Sequence, residues 1–409
     1  MRAWYKWLML GLLSCAFFFH QADRALFGLL TVPIQNELKL DDVQIGWINT
    51  TLSWTLAVMT MFAGFVGDRF SRKWIITLSL IAWSLMTVCM GFIGGFAGAL
   101  FFRSIATGAG ESFYAPSAYA LIAVHHRETR SVALSIHQAA LYVGLTISGL
   151  LVAWTLGFLG TWRNVFIAFG LTGLLLGFLF IFALRDGASP DAQSRTVKRP
   201  VGESFKVYFR NPSALCATAG FVAIVFVNNA YLFWAPKFAV AKFGVDVGEA
   251  GRDVMLYHHL LAFGAIMIGG LLTDRFVARM PRFRLGFQIF ALLLGSPMLL
   301  FIGIAPSFAA MILAASSYGI FRGFFEVNTH ASLFDVIPPG HRSAAVGMLN
   351  MIAFFFGGLS GVAMGELSQQ YGVRGFEYGF MLMAGAYALA AVLMSVSFFF
   401  TFNRNRVSE

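Results

Sequence analysis

The sequence predicts an all-α integral membrane protein with twelve transmembrane helices. Of its 409 residues, 58% are hydrophobic and only 12% are charged, and the apolar residues fall into twelve long stretches. A soluble domain carries about 25% charged residues, so this chain could not cover its surface in water. The strands of a membrane β-barrel alternate apolar and polar residues over about ten positions, whereas these stretches are continuous. Helices are therefore predicted, because a helix satisfies its own backbone hydrogen bonds in lipid.

Each stretch is long enough to cross a bilayer, since about 20 helical residues span about 30 Å of hydrocarbon. The first stretch runs on to Val32, which is longer than the apolar region of a signal peptide, so we predict it as helix 1. Helices 1 to 12 are predicted at 7–32, 43–66, 74–95, 97–123, 132–157, 163–184, 213–241, 253–273, 283–304, 307–336, 343–367 and 375–402.

Basic residues are distributed unequally between the two sides of this predicted membrane. With the N-terminus in the cytoplasm, 20 of the 29 basic residues lie on the cytoplasmic side, and six lie outside: Lys39, Arg163, Lys237, Lys242, Arg252 and Arg374. Acidic residues divide evenly, with eight on each side. The positive-inside rule therefore predicts cytoplasmic termini in a multi-pass protein of the cell membrane, expected to be a bacterial inner membrane. Basic loops facing anionic lipid also explain the net charge of +10 without a nucleic-acid partner.

Six charged residues remain inside the helices, three of each sign: Arg24, Arg103, Arg322, Asp23, Glu111 and Glu326. Ionised side chains are costly in hydrocarbon, so such residues tend to face the bundle interior or a wet cavity and to mark a functional site. The alternative is that they form ion pairs that only brace the helices. The three cysteines are far apart, and we find no metal-ligand spacing, nucleotide loop or nucleophile–base pair, so no enzyme activity, catalytic residue, metal or cofactor is predicted.

An internal repeat divides the chain into two halves. The segment Gly64-Phe-Val-Gly67-Asp68-Arg69 closes helix 2, and Gly270-Leu-Leu-Thr-Asp274-Arg275 closes helix 8. Two further pairs recur about half a chain apart: Arg130-Ser131 with Arg342-Ser343, and Gly160-Thr-Trp-Arg163 with Gly372-Val-Arg374. Such repeats are typical of transporters. We predict two pseudo-symmetric six-helix bundles, at 1–184 and 213–409, joined by a polar cytoplasmic linker at 185–212.

The loop after helix 2 resembles the signature loop of the major facilitator superfamily. It reads Gly64-x-x-Gly67-Asp68-Arg69-x-Ser71-Arg72-Lys73, and a weaker copy follows helix 8. The resemblance implies the major facilitator fold and covers the whole chain in helix number, linker and repeats. Within that superfamily, Asp23-Arg24 and Gly108-Ala-Gly110-Glu111 resemble the anion:cation symporters of the hexuronate, galactonate and sialin type, and also the spinster-like carriers.

The resemblance implies roles for the charged pair in helix 1. Arg24 would meet the anionic group of the substrate, since a guanidinium donates two parallel hydrogen bonds to a carboxylate. Asp23 would be a coupling or gating acid. His20 lies one turn away, and Gln21 stands where those families usually carry a tyrosine. Arg103 lies eight residues before Glu111 instead of the usual seven, so it takes the family's role only if helix 4 bulges.

Glu111 is predicted to carry the proton that drives transport. It lies midway along helix 4 with no basic residue within one turn of that helix. A buried acid in such a place takes up a proton readily, because its neutral form costs less in a low-dielectric medium. The alternative is a neutral, hydrogen-bonded glutamic acid with no part in transport.

Helix 10 contributes a stripe of charge in the second half. Arg322, Glu326 and His330 are spaced four and four, so they share one helix face. Arg322 would bind the anion or be neutralised by Glu326, which is also a candidate for proton coupling, and the alternative is an ion pair that braces the helix. Weaker candidates for substrate binding are polar residues elsewhere in the helices: His20, Gln21, His137, Tyr142, Asn228, Asn229 and Asn350.

The signature loop is predicted to act as a conformational latch on the cytoplasmic side. Opposite charges and helix dipoles there would hold the two halves together in one state of the transport cycle. The latch residues are Gly64, Gly67, Asp68, Arg69, Arg72 and Lys73, with Asp274, Arg275 and Arg279 in the repeat.

The function expected from these features is secondary transport of a small organic anion, such as a sugar acid, by alternating access with proton symport. One alternative is a spinster-like carrier of lysolipids. Another is a nutrient sensor that does not transport, although a sensor usually carries a signalling extension and the tails here are short. The expected partners are the anionic substrate, the proton and the lipid bilayer, and the protein is expected to be a monomer. Multidrug efflux is not favoured, because Gly144-Leu-Thr-Ile-Ser-Gly149 lacks the proline of drug/proton antiporters.

Overall fold

Helices account for almost all of the structure, a computed structural model that describes residues 3–67, 70–126, 128–186 and 201–407. No strand occurs among these residues, and each of the twelve predicted stretches is helical. Nine helices in the described part of the chain are long and apolar enough to span a membrane by length and composition alone. The all-α fold class is therefore confirmed.

The observed bounds lie close to the predicted ones. The first six helices run over Ala3–Leu29 with Thr31–Leu38, Asp42–Gly67, Arg72–Met90, Phe96–His125 in four pieces, Arg130–Leu159 and Trp162–Ala183. The last six run over Pro212–Phe243, Val247–Val277, Phe283–Ile304, Phe308–Glu326 with Thr329–Phe334, Arg342–Tyr371 and Val373–Asn405, the last with a π-helical stretch at Ser397–Thr401.

Hydroxyl side chains cap three of the helices. Ser71, Thr161 and Ser307 each accept a hydrogen bond from the backbone N–H three residues later, at 3.2–3.3 Å, and so begin helices 3, 6 and 10. Such caps satisfy donors that the first helical turn leaves unpaired. Gly160 ends helix 5 with φ of 76°, a left-handed conformation that glycine adopts without steric cost. The predicted turn between helices 5 and 6 is thus built from Gly160 and Thr161.

The chain forms two compact units. The first unit contains Met1–Ser194 together with Leu232–Val240 and Gly244–Leu256, and the second contains the remainder. In the first unit, Lys237 of helix 7 forms an ion pair with Asp42 and donates to Gln35 Oε1 at 2.6 Å. The predicted domain boundaries at 184 and 213 stay a prediction.

The segment predicted as a polar linker contains a short helix, Val201–Phe209, that the sequence analysis did not foresee. Residues 187–200 of the predicted linker lie outside the described part of the chain. The helix is fixed to the second unit at the turn before helix 11, where Ser204 Oγ and His341 Nδ1 are 2.9 Å apart. Nearby, Asn211 donates to the carbonyl of Val336 at 2.8 Å. These contacts order the second part of the linker.

Arg163, from the repeated Gly160-Thr-Trp-Arg163 motif, joins three turns at one end of the first unit. Its guanidinium donates to the carbonyls of Gly91 and Ile93 at 3.0 and 2.8 Å and to Glu37 Oε1 at 2.7 Å. Hydrogen bonds from Arg163 and Trp162 hold the pKa of the Glu37 carboxyl below its usual range. The motif therefore has a structural task as well as marking the repeat.

Helices 3 and 6 approach closely along a row of glycines. A Cβ at Gly170 would lie 2.7 Å from the Ser84 carbonyl oxygen and the Val88 backbone nitrogen, and one at Gly173 would lie 2.1 Å from Ser84 Oγ. Small residues at such positions let helix backbones pack in lipid, where there is no hydrophobic drive between helices. This packing keeps helix 3 beside helix 4, which carries Glu111.

The close approach predicts that Gly170→Ala destabilises the first unit. The added Cβ meets backbone atoms that cannot turn away, so a loss of about 1–3 kcal/mol is expected, as for an overpacked core. Gly385→Ala is the matched control, because nothing lies within 4 Å of a Cβ at Gly385. Thermal unfolding in detergent measures both variants. Equal melting temperatures for the two would show that helices 3 and 6 can separate at no cost.

Candidate functional site

The predicted residues of helix 1 and helix 4 meet in the interior of the first unit. His20, Gln21, Asp23, Arg103 and Glu111 are each at most 6% exposed. Two glycines make this possible: a Cβ at Gly144 of helix 5 would lie 2.6 Å from the Phe18 carbonyl oxygen, and one at Gly110 would lie 3.1 Å from the Trp83 nitrogen. Helices 1, 3, 4 and 5 are thereby close enough for their polar side chains to touch.

Glu111 has a partner that helix 4 alone does not provide. His20 Nε2 of helix 1 lies 3.5 Å from Glu111 Oε2, and neither carboxylate oxygen accepts a hydrogen bond within the described residues. On the far side of the ring, Gln21 Nε2 lies 2.8 Å from His20 Nδ1. Since the amide nitrogen is a donor, this contact leaves the imidazole proton on Nε2, facing Glu111. The neutral imidazole therefore presents an N–H group to the Glu111 carboxylate.

Asp23 faces helix 3 instead of Glu111. Thr87 Oγ1 donates to Asp23 Oδ2 at 2.9 Å and also lies 3.0 Å from the Trp83 carbonyl. Thr87 was not among the predicted residues, since a lone threonine in an apolar helix gives no signal in the sequence. The first unit thus holds two buried acids in different surroundings, one bonded to a hydroxyl and the other near an imidazole.

Helix 4 contains the bulge on which the role of Arg103 depended. Residues Leu100–Ala106 form a π-helical segment, in which each hydrogen bond reaches one residue further than in an α-helix. Thr107 accordingly bonds to the Phe102 carbonyl, five residues back, through its backbone N–H and at 2.7 Å through its hydroxyl. The wide turn absorbs the extra residue between Arg103 and Glu111. Arg103 Nη2 then donates to the Arg24 carbonyl at 2.7 Å.

His137 lies in a box of aromatic rings beside this cluster. Its ring stacks on Phe17 at 4.5 Å and meets Tyr119 edge-on at 5.2 Å, and Tyr114 is 6.2 Å away. Neither ring nitrogen of His137 has a hydrogen-bond partner among the described residues. The sequence analysis missed these rings, although Phe17 lies one turn from His20 and Tyr114 lies one turn from Glu111. Tyr142, also predicted, is buried on the same helix as His137.

A cavity of about 430 Å³ opens next to the aromatic box. Its polar lining comes from Tyr119, Arg130, Ser135 and Gln138, and Tyr119 donates to Gln138 Oε1 at 2.7 Å. Tyr119 therefore belongs to both the cavity wall and the box around His137. This cavity could not be predicted from the sequence, because its lining is split between the end of helix 4 and the start of helix 5.

In the second unit, the predicted stripe on helix 10 is present at its first two positions. Arg322 Nη2 lies 3.3 Å from Glu326 Oε2. Helix 10 is interrupted after Glu326 and restarts at Thr329, and His330 is exposed beyond the interruption, with Phe221 as a ring neighbour at 6.4 Å. Asn228, Asn229 and Asn350 are each partly buried on helices 7 and 11. Their assignment to substrate binding stays a prediction.

The structure describes only some of the residues of the predicted latch. Asp68 and Arg69 lie outside the described residues, and Gly64 and Gly67 belong to the last turns of helix 2. Lys73 is tied to helix 6, since its backbone N–H donates to Asp186 at 2.9 Å and its ammonium donates to the Ile181 carbonyl at 2.6 Å. Arg72 is partly exposed, and the members of the repeat, Asp274, Arg275 and Arg279, are exposed. The latch stays a prediction.

Comparison with known proteins identifies a single superfamily. A family model described as Major Facilitator Superfamily matches residues 12–314, more than half of the chain. Similar proteins include an MFS-type efflux pump of Mycolicibacterium smegmatis, 26% identical over 95% of this chain and 91% of the relative. The probable galactarate/D-glucarate transporter GudP of Bacillus subtilis is 22% identical over 95% and 90%. The probable sulfoacetate transporter SauU of Cupriavidus necator is 26% identical over 95% and 93%.

A solved structure shows the same fold. It is that of a bacterial homologue of the human lysosomal transporter Spinster, in an inward-facing and unoccupied conformation. The TM-score is 0.87 at 20% identity, over 100% of this chain and 99% of the other. At this identity the likeness concerns the fold, and it confirms the prediction of twelve helices in the major facilitator arrangement.

The bulge in helix 4 predicts that the chain tolerates the loss of Ile105. Deleting one residue from a π-helical segment restores a regular α-helix and leaves both flanks in place, so Arg103 would still reach the Arg24 carbonyl. Ile105 is suited to this deletion because it is exposed. Size-exclusion chromatography of the detergent-solubilised protein should show a monodisperse peak close to that of the parent.

The matched control inserts one alanine after Ile105. This change adds a second extra residue and turns Arg103 away from Glu111 by about 100°. The variant with the insertion should give much less monodisperse protein than the parent in the same chromatography. A reversed ranking, with the insertion folded and the deletion aggregated, would contradict the role given to the bulge.

Proposed function

The chain belongs to the major facilitator superfamily, and we propose that it is a secondary transporter that moves a small organic anion, such as a sugar acid, by alternating access with proton symport. The observation that carries this proposal is the buried polar cluster of the first unit, which holds Asp23 and Glu111 with Arg24 and Arg103. Ionisable groups are retained inside transmembrane bundles chiefly for substrate and proton pathways. The names of the GudP and SauU relatives, which refer to galactarate, D-glucarate and sulfoacetate, support the choice of an organic anion.

Arg24 is assigned to the anionic group of the substrate. It is partly buried, whereas its neighbours Asp23 and Ala25 are buried, so its side chain is the most accessible of the three. Arg103 supports it indirectly, since the bond from Arg103 to the Arg24 carbonyl fixes helix 1 at this point. A planar guanidinium on a fixed backbone can donate two parallel N–H bonds to a carboxylate.

Glu111 and His20 are assigned to proton coupling. The two side chains are 3.5 Å apart and buried, and His20 lies one helix turn from Arg24, so the substrate and the proton would act on the same part of helix 1. Asp23 is the second candidate acid. Its bond from Thr87 supplies a partner for the ionised form, which favours Glu111 as the group that gains and loses the proton.

Other features are proposed on weaker grounds. Arg322 contributes anion binding in the second unit, and Glu326 at 3.3 Å moderates its charge. The signature loop forms the cytoplasmic latch. The protein acts as a monomer in the bacterial inner membrane with both termini in the cytoplasm, as the distribution of basic residues favours.

The assignment of Arg24 predicts that Arg24→Lys weakens binding of D-glucarate and Arg24→Ala abolishes it. An ammonium cannot reproduce the bidentate geometry, so a loss of about tenfold is expected for lysine. Isothermal titration in detergent measures the dissociation constants, and Arg374→Gln is the control because Arg374 is an exposed arginine at the start of helix 12. If uncharged sugar analogues or lysolipids bind to the parent as tightly as the anions, the choice of an organic anion is wrong.

The assignment of Glu111 predicts that Glu111→Gln uncouples transport from the proton gradient. Glutamine resembles the protonated acid permanently, so proteoliposomes with this variant should lose accumulation driven by a pH gradient. They should keep substrate counterflow, which needs only binding and exchange. Acidifying the outside should accelerate uptake by the parent and leave the variant unchanged.

Glu366→Gln is the matched control for this experiment, because Glu366 is an exposed carboxylate at the far end of helix 11. It should accumulate substrate as the parent does. If the Glu111→Gln variant still accumulates substrate along the proton gradient, Glu111 is not the coupling acid. Asp23 would then be the candidate, or the carrier would be coupled to sodium or to no ion.

A further inference from the structure

Arg322 of helix 10 has a neighbour that the sequence analysis did not connect with it. His258 of helix 8 lies with its Nε2 atom 3.1 Å from Arg322 Nη1. Both side chains are buried, at 1% and 4% exposure. An arginine and a histidine on separate helices, 64 residues apart, share no sequence pattern, so only the fold places them together.

Glycines bring the two helices to this distance. A Cβ at Gly319 would lie 2.4 Å from the His258 carbonyl oxygen, and a Cβ at Gly323 would lie 2.4 Å from the Ala262 carbonyl oxygen. Gly319 and Gly323 are one turn apart, Gly319 is also one turn from Arg322, and His258 and Ala262 are likewise one turn apart on helix 8. Close contact between the backbones at Gly319 and at Gly323 fixes the register between helices 8 and 10.

The hydrogen bonds of His258 determine its chemical form. Its Nδ1 atom lies 2.9 Å from the Ala315 carbonyl oxygen, which can only accept. Nδ1 therefore carries the proton, and in the neutral ring Nε2 presents a lone pair. Arg322 Nη1 can donate only to such a lone pair. A protonated imidazole would place an N–H group against the guanidinium, so this arrangement requires the neutral ring.

Aromatic rings hold the imidazole in this orientation. His258 stacks on Tyr318 at 5.2 Å and is 4.4 Å from Tyr231, and the hydroxyls of Tyr318 and Tyr387 are 2.8 Å apart. His259 is the other titratable neighbour, with ring centres 4.7 Å apart. Besides Arg322, His258 thus contacts aromatic rings, the His259 ring and a carbonyl, none of which bears a fixed charge.

Glu326 does not replace His258 in orienting the guanidinium. Its Oε2 atom is 3.3 Å from Arg322 Nη2 but accepts no hydrogen bond among the described residues, and its side chain is 29% exposed. The carboxylate therefore attracts Arg322 without fixing its direction. The imidazole fixes direction and adds no negative charge, so it leaves the guanidinium able to attract an anion.

We propose that His258 is a positioning residue, which as the neutral imidazole holds the Arg322 guanidinium in place for the carboxylate of the transported anion. This inference rests on the proposed function, in which Arg322 binds that anion. His258 touches no substrate itself.

The test compares binding of D-glucarate by variants at position 258. His258→Phe keeps a ring between Tyr231 and Tyr318 but removes both nitrogens, and it should raise the dissociation constant about tenfold, as expected for a lost hydrogen bond to a charged group. His258→Gln restores an acceptor and should bind within about threefold of the parent. Tyr387→Phe is the matched control, because it removes a hydrogen bond of the same ring cluster without touching His258, and it should bind as the parent does.

A double-mutant cycle separates positioning from a merely structural role. Once Arg322→Gln has removed the guanidinium, adding His258→Phe should weaken binding no further, because the two residues act as one unit. Additive losses, or a His258→Gln variant as weak as His258→Phe, would overturn the proposal.

A spectroscopic measurement tests the positioning role of His258 and does not depend on which substrate the protein binds. With ¹⁵N-labelled histidine, the His258 signals, assigned by their absence in His258→Phe, should show the neutral ring protonated on Nδ1 at neutral pH and should shift in Arg322→Gln. If the parent binds no organic anion, the proposed function fails, and these signals still decide whether His258 holds Arg322. A ring protonated on Nε2 or on both nitrogens would refute the positioning role.

Discussion

The free-energy cost of placing charged groups in apolar surroundings governs the interior of this protein. Helices in lipid satisfy their own backbone, so a charged side chain inside the bundle needs a partner from another helix. Each of the buried charges described here has such a partner or a close neighbour: Thr87 for Asp23, His20 for Glu111, the Arg24 carbonyl for Arg103, and His258 for Arg322. The positions of the helices follow from the need to supply these contacts.

Neutral acceptors orient two of the buried arginines. Arg103 donates to a backbone carbonyl, and Arg322 donates to an imidazole lone pair. A neutral acceptor orients the guanidinium without adding negative charge, and at Arg322 only Glu326, at 3.3 Å, offsets part of the charge among the described contacts. In the proposed transport of an anion this distinction matters, because the transported carboxylate would bind to the positive charge that remains on the arginine and then be released.

Glycines give the helices the separation at which these contacts form. Gly110 and Gly144 bring helices 3 and 5 against helices 4 and 1, and Gly319 and Gly323 bring helix 10 against helix 8. In each case the Cβ of any other residue would meet a neighbouring helix, so the polar contacts depend on residues that have no side chain. The π-helical turn at Leu100–Ala106 has a similar task, since it sets the rotation of Arg103 within helix 4.

The sequence by itself determined the class of protein, the twelve helices, the superfamily and the short set of charged residues that lie inside the bundle. These follow from composition, from continuous apolar stretches and from a repeat, all of which are local properties of the chain. It could not determine the partners of those residues. His20 next to Glu111, Thr87 next to Asp23 and His258 next to Arg322 are contacts between helices, and they depend on the rotation and separation of each helix. Only the tertiary structure decides which side chains meet. A single glycine changes the separation of two helices, and one extra residue in a helix turns a side chain toward a different neighbour.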